Sequence, residues 1–202
     1  MKADEAQIAP LCLQCAGCAA VLPHIEAAIA LNDRWIKNTL TPIREAGRTA
    51  LVLQRSIDAA RSFDLAGEWG LSHRAASIGV LVGLGATSSD CRHVSDARAF
   101  QLAVIDRLLS SKNLPDEDAD RAREVFASIE GTPEAIGFVL DLAQAKANLD
   151  QRKARYFEQA RPLVYVAGDL SQIGREWEEA QSSVWTDPVL QRWDSASAVE
   201  HQ

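Results

Sequence analysis

Apolar positions along this chain fall mainly three and four residues apart. Between Thr41 and Ser62 they are Ile43, Ala46, Ala50, Leu53, Ile57 and Ala60, one seam down one helix face. Arg44, Glu45, Arg48, Arg55 and Asp58 occupy the remaining, solvated faces. Further helices are predicted over Leu11–Leu22, Ile25–Asn38, Ser95–Ser111, Asp116–Ile129, Thr132 to about Arg161, Leu170–Val184 and from Pro188 onward. The Ser95–Ser111 segment is apolar on nearly every side, through Phe100, Leu102, Val104, Ile105, Leu108 and Leu109, and should be buried. Asp116, Glu117, Asp118 and Asp120 crowd the start of the next helix, where the peptide dipoles favour carboxylates. Ala119, Ala122, Phe126 and Ile129 form its buried stripe. Thr41-Pro42, Thr132-Pro133 and Asp187-Pro188 each place a capping residue before a proline and are read as helix starts.

One stretch breaks the periodicity. Ser77–Asp90 is apolar from Ile78 to Ala86, carries glycine at 79, 83 and 85, and has no charge before Asp90. It is read as the buried centre of the fold, either a helix with Gly79 and Gly83 on one face or a strand running into a loop. Leu163-Val164-Tyr165-Val166 is the other strand-like run. The pattern as a whole predicts an all-α, single-domain bundle of about seven or eight helices over residues 1–202. The alternative is an α/β fold with a small buried sheet.

Composition narrows the partners. The chain has 202 residues and a formal charge of −7. So acidic a surface disfavours nucleic acid, whose phosphates reward positive charge. No apolar run reaches the ~20 residues of a membrane span. Asp4 and Glu5 stand where a signal peptide would carry positive charge. Four cysteines in a chain this long do not suggest a disulfide framework, so the expected setting is the cytoplasm.

The residues with chemistry in them are few. Cys12, Cys15 and Cys18 are each three apart, a spacing that lets one short segment offer several thiolates to zinc or an iron–sulfur cluster. The spacing resembles the opening of bacterial-type ferredoxin motifs, although Leu22 stands where their fourth cysteine would be, before Pro23. That resemblance implies a ligand from elsewhere, with Cys91 the first choice and His24 or His93 the others. The competing reading is that cysteine, a small apolar side chain, replaces alanine on one helix face. Gly83-Leu84-Gly85 offers close backbone approach to a ligand, so Gly79, Gly83 and Gly85 are candidates for a pocket wall, but no strand–helix alternation surrounds them. There is no Gly-Lys-Ser/Thr phosphate loop and no Gly-x-Ser-x-Gly nucleophile motif. Trp177, Trp185 and Trp193 recur every eight residues, as binding anchors or as core residues holding a terminal segment down. Arg152, Lys153, Arg155 and Arg161 are read as a solvated face, with phosphate binding the lesser alternative.

With no catalytic constellation in view, the expected function is protein–protein contact of an adaptor, immunity or regulatory type, with another protein or a second copy. The alternatives are metal or iron–sulfur binding through the cysteines, and a small-ligand or enzymatic pocket beside the glycine-rich stretch.

Overall fold

The computed structural model describes residues 16–64, 80, 84, 97–109, 115–130, 132, 134–161, 171–181 and 183–193. Six α-helices lie among them: α1 (Ala16–Trp35), α2 (Thr41–Asp64), α3 (Ala97–Leu109), α4 (Asp116–Ile129), α5 (Glu134–Ala160) and α6 (Ser171–Gln181). No described residue is in a strand, so the fold is all-α. Leu163–Val166 falls outside the described residues, as does most of Ser77–Asp90. Of the latter, Val80 is fully buried, and the Leu84 N–H donates to its carbonyl at 2.9 Å, the four-residue bond of a helical turn.

The centre of the structure is α5. Every side chain from Phe138 to Ala147 is buried, because this 27-residue helix presents alanine, leucine, valine or phenylalanine on every face of its first half. Whether Ser77–Asp90 shares this central position lies outside the described residues, apart from the buried Val80. Helix α5 is buried despite polar Asp141, Gln144 and Lys146, because each of these finds a partner inside the fold.

Helix α2 packs antiparallel along α5. Its predicted seam is the buried one: Ala50, Leu53, Ile57 and Ala60 lie inside, and Ile43 is partly buried against the same core. The register is fixed by pairs spaced along the interface, Arg61 on Asp141 and Gln54 on Gln144 at one end, Arg44 on Glu158 at the other. Between them the helices come close at Gly47, where an added methyl would lie 2.7 Å from Ala154 Cβ.

Two sequence expectations about helix boundaries are corrected. The predicted helices 11–22 and 25–38 are not divided at Pro23 within the described residues, because α1 (Ala16–Trp35) runs through that proline. Thr41 does begin α2, but not as a cap that follows a non-helical segment. Thr41 has helical angles, φ −62° and ψ −50°, and α1 continues into α2 through one π-helical turn, Ile36–Leu40. Proline has no N–H to donate, and in an α-helix its ring collides with the carbonyl four residues back. Widening the turn relieves both problems: the Thr41 N–H reaches back to the Ile36 carbonyl, and Thr41 Oγ1 donates to the same oxygen at 2.9 Å. A cap-like Thr-Pro pair is thus a π-turn within one long rod.

Helix α3 buries Val104, Ile105, Leu108 and Leu109, but Leu102 is 38% exposed, so it is not enclosed on all sides. Helix α4 buries Ala119, Ala122, Val125 and Phe126. The C-terminal segment runs back along α5. Trp177 of α6 packs on Tyr156 and Phe157 (ring centroids 5.4 and 6.5 Å), whereas Trp185 and Trp193 pack on Phe138 (6.5 and 5.3 Å). Between these two aromatic clusters, Asp187 caps the turn Pro188–Leu190, accepting from the Val189 N–H at 3.2 Å. Its other oxygen accepts from Asn148 and Arg152 of α5 at 3.0 and 3.1 Å. Asp187-Pro188 is therefore the helical start that the sequence predicts, opening with a 3-10 turn that leads into helical residues 191–193.

Candidate functional site

Among the described residues two surfaces stand out as open to a ligand or partner. The first is α1. Val21, Ile25, Ala28, Asn32 and Trp35 follow each other at intervals of four, three, four and three, which places them on one face. At the C-terminal end of that face Asn32 and Trp35 are buried, and Trp35 stacks on Phe157 with centroids 6.3 Å apart. Toward the N-terminus the same face is bare. Every described side chain from Val21 to Leu31 is exposed, including Val21 at 52%, Ile25 at 49%, Ile29 at 48% and Leu31 at 46%. Glu26 is the one Asp, Glu, Lys or Arg from Ala16 to Asn32. A helix half of whose seam is packed and half uncovered has no internal reason to stay apolar at its free end.

The second surface is a groove of about 620 Å³ where α2 and α5 lie side by side. Gly47 and Ala154 line it where the two helices lie close together. Arg44, Arg48 and Leu51 line it from α2, and Gln151, Arg155 and Glu158 from α5. Arg44 Nε donates to Glu158 Oε1 across one end. That hydrogen bond holds the Glu158 carboxyl below its ordinary range and raises the Arg44 guanidinium above its own. One turn along each helix, Arg48 and Arg155 form no ion pair with a described residue. With three guanidinium groups against one carboxylate, the groove is a positive patch on a chain of net charge −7.

On the opposite side of the α2–α5 seam a smaller cavity of about 230 Å³ is lined by Leu53, Leu84, Arg107, Leu108, Lys146 and Asp150 among others. Arg107 Nε donates to the Leu84 carbonyl at 3.1 Å, and the buried Lys146 ammonium reaches Asp150 Oδ2 at 2.5 Å. Burial pushes the nearby Lys153 ammonium below its ordinary range, against the pull of Asp150 and Glu178. Arg107, Lys146 and Asp150 thus already have partners within the protein.

The residues singled out from sequence are distributed unevenly over this picture. Trp177, Trp185 and Trp193 are 3%, 7% and 8% exposed, so all three are core residues and present no binding surface. They were ambiguous because an indole anchors a segment to its own core and to a partner by the same contacts. Cys12, Cys15, Cys91, His73, His93, His201, Gly79, Gly83 and Gly85 lie outside the described residues, as does the side chain of Cys18. His24 is exposed on α1. Among the described residues no three His, Cys, Asp or Glu side chains converge as a metal site. Leu84, within the glycine-rich stretch, lines the smaller cavity.

Reading the sequence alone misses three buried carboxylates. Asp141 accepts from Arg61 and Arg192, and from Trp193 Nε1 at 2.9 Å. Asp118 accepts from Ser183 Oγ and the Val184 N–H, both at 2.8 Å. Asp187 is the third. All three are structural ties between the C-terminal segment and the bundle. Comparison with protein-family models, curated proteins and solved structures finds no match to this chain. Among the described residues no helix is long and apolar enough to cross a membrane.

Proposed function

We propose that this protein acts by protein–protein contact, with the free half of α1 as the docking element and a second copy of the chain as its partner. One observation carries the reading: the face that buries Trp35 continues uninterrupted to Ile25 and Val21, where it is exposed. A four-three repeat of this kind is the pattern by which two helices pack side by side.

Charge supports a second copy in particular. Two chains of −7 repel each other over most of their surfaces, and α1 is where they can approach with least penalty, since Glu26 is its one charge up to Asn32. Two α1 helices laid antiparallel about Glu26 and Ala27 would set Ile25 of each against Ala28 of the other, a large side chain facing a small one. Alanines at 27, 28 and 30 let the backbones come close.

Sedimentation velocity over a range of protein concentrations tests this. Wild type should show a reversible monomer–dimer equilibrium, and the Ile25→Glu, Ile29→Glu double variant should remain monomeric with unchanged helix content and melting temperature. Both positions are exposed in the single chain, so the substitutions do not disturb its core. A wild type that stays monomeric at the highest soluble concentration, or a variant that dimerises as well as wild type, would refute it.

A further inference from the structure

We infer that the groove between α2 and α5 is a binding site for a small organic phosphate, held by Arg48 and Arg155. The inference is independent of α1 and of self-association.

The antiparallel register brings it about. Arg44 opposes Glu158, and one turn further along each helix Arg48 and Arg155 line the same groove from its two sides. At this point the pairing of opposite charges gives way to two like charges, neither with an ion-pair partner among the described residues. Like charges that line one groove disfavour each other, and a helix pair built only for stability would place an acid at one of the two positions. An anion bridging both removes that conflict. Guanidinium groups present planar forks of N–H donors that suit phosphate oxygens two at a time. Gln151 adds an amide donor on the α5 side, and it has no side-chain partner among the described residues.

The groove is larger than a bare phosphate needs. Its volume of about 620 Å³ lies within the range of small-molecule sites. Beside the arginines stand Leu51, which is 52% exposed, and Ala154. These apolar walls suit the carbon body of a phosphate ester. Glu158 limits the other end: paired with Arg44, it withholds the third guanidinium from the ligand and excludes a second anionic group there.

Isothermal titration and thermal melts with inorganic phosphate and phenyl phosphate, against sodium chloride at equal ionic strength, test the site. Both phosphates should raise the melting temperature beyond the chloride control, because each binds the folded chain only. Phenyl phosphate should bind several-fold tighter than inorganic phosphate, through Leu51. Arg48→Gln with Arg155→Gln should weaken binding about tenfold or more, the loss expected for charge-assisted bonds. Without phosphate, that double variant should melt at or above the wild-type temperature, since a repulsion has gone. Glu158→Gln, which frees Arg44, should tighten binding. No phosphate effect beyond chloride, or one that survives in the double-arginine variant, overturns the site. Equal binding of the two phosphates overturns the organic part of the assignment.

Discussion

Gly47→Ala isolates a single contact between the two principal helices. In an exposed helix interior, replacing glycine by alanine stabilises by roughly 1 kcal/mol through backbone entropy. Here the added methyl would stand 2.7 Å from Ala154 Cβ, with the Asp150 carbonyl oxygen next at 3.7 Å. Two methyl carbons need nearly 4 Å, and neither is the far end of a flexible side chain, so the helices must part by about an ångström. Overpacking of this kind costs about 1–3 kcal/mol. The net expectation is a loss of about 1 kcal/mol, or roughly 2–4 °C in melting temperature for a chain of this size. Moving the methyl across the seam distinguishes steric conflict from other causes. Ala154→Gly alone should cost about 1 kcal/mol in helix propensity. The Gly47→Ala, Ala154→Gly double variant should recover most of the combined loss, with a coupling energy above 0.5 kcal/mol, which is the scale at which contacting residues depart from additivity. Urea denaturation of the four proteins measures it. If Gly47→Ala is more stable than wild type, or the two changes simply add, α2 and α5 are not packed at this point as described.

Three further outcomes follow from the same structure. Leu53→Asp places a carboxylate at a position 2% exposed, and should cost several kcal/mol of the ~5–15 kcal/mol available to a domain; a melt like that of wild type would refute the α2–α5 core. Glu158, held below its ordinary value of 4.5 by the bond from Arg44, stabilises the fold above that value and loses its contribution as pH falls through the lower folded value. Glu158→Gln should therefore flatten the acid limb of the stability profile below pH 4.5, and an unchanged limb would place the acid sensitivity elsewhere. Metal analysis of protein purified without oxygen or chelator should find no stoichiometric zinc, iron or copper, and serine at Cys12, Cys15, Cys18 or Cys91 should leave the melting temperature nearly unchanged; bound metal lost in the Cys91→Ser variant would restore the cysteine site.

The parts of this structure legible in the sequence are those set by neighbours within one or two turns. The α2 seam, the α4 stripe and the extent of α5 follow from apolar spacing, because burial of a helix face leaves a period near 3.6. The π-turn at Ile36–Leu40 was not legible, since Thr-Pro carries the same local signal whether the chain enters a helix or stays within one. Nor were the roles of Asp118, Asp141 and Asp187, whose partners lie 66, 52 and 39 residues away. Asp118 in particular reads as one more acid among several in the first turn of α4, where the helix dipole already accounts for it. The arginine groove was hidden for a related reason. Arg44 and Arg48 mark a solvated face of one helix, Arg155 belongs to a basic cluster on another, and only the register between α2 and α5 makes them neighbours.

The π-turn also divides the protein into two units of opening. At Pro42 the backbone lacks a donor, and the turn before it closes with wider rings, so the helical bonding between Ala16 and Asp64 changes pattern just after the buried Trp35. Fraying that begins at the N-terminal end meets the Trp35–Phe157 stack and then this turn before it reaches the seam of α2. Amide protons of α1 should accordingly exchange through local melting, and those of α2 and α5 only when the whole bundle opens, as hydrogen exchange would measure. A partner that gripped α1 would slow exchange on one side of Leu40 and leave the other side at the rate set by the core.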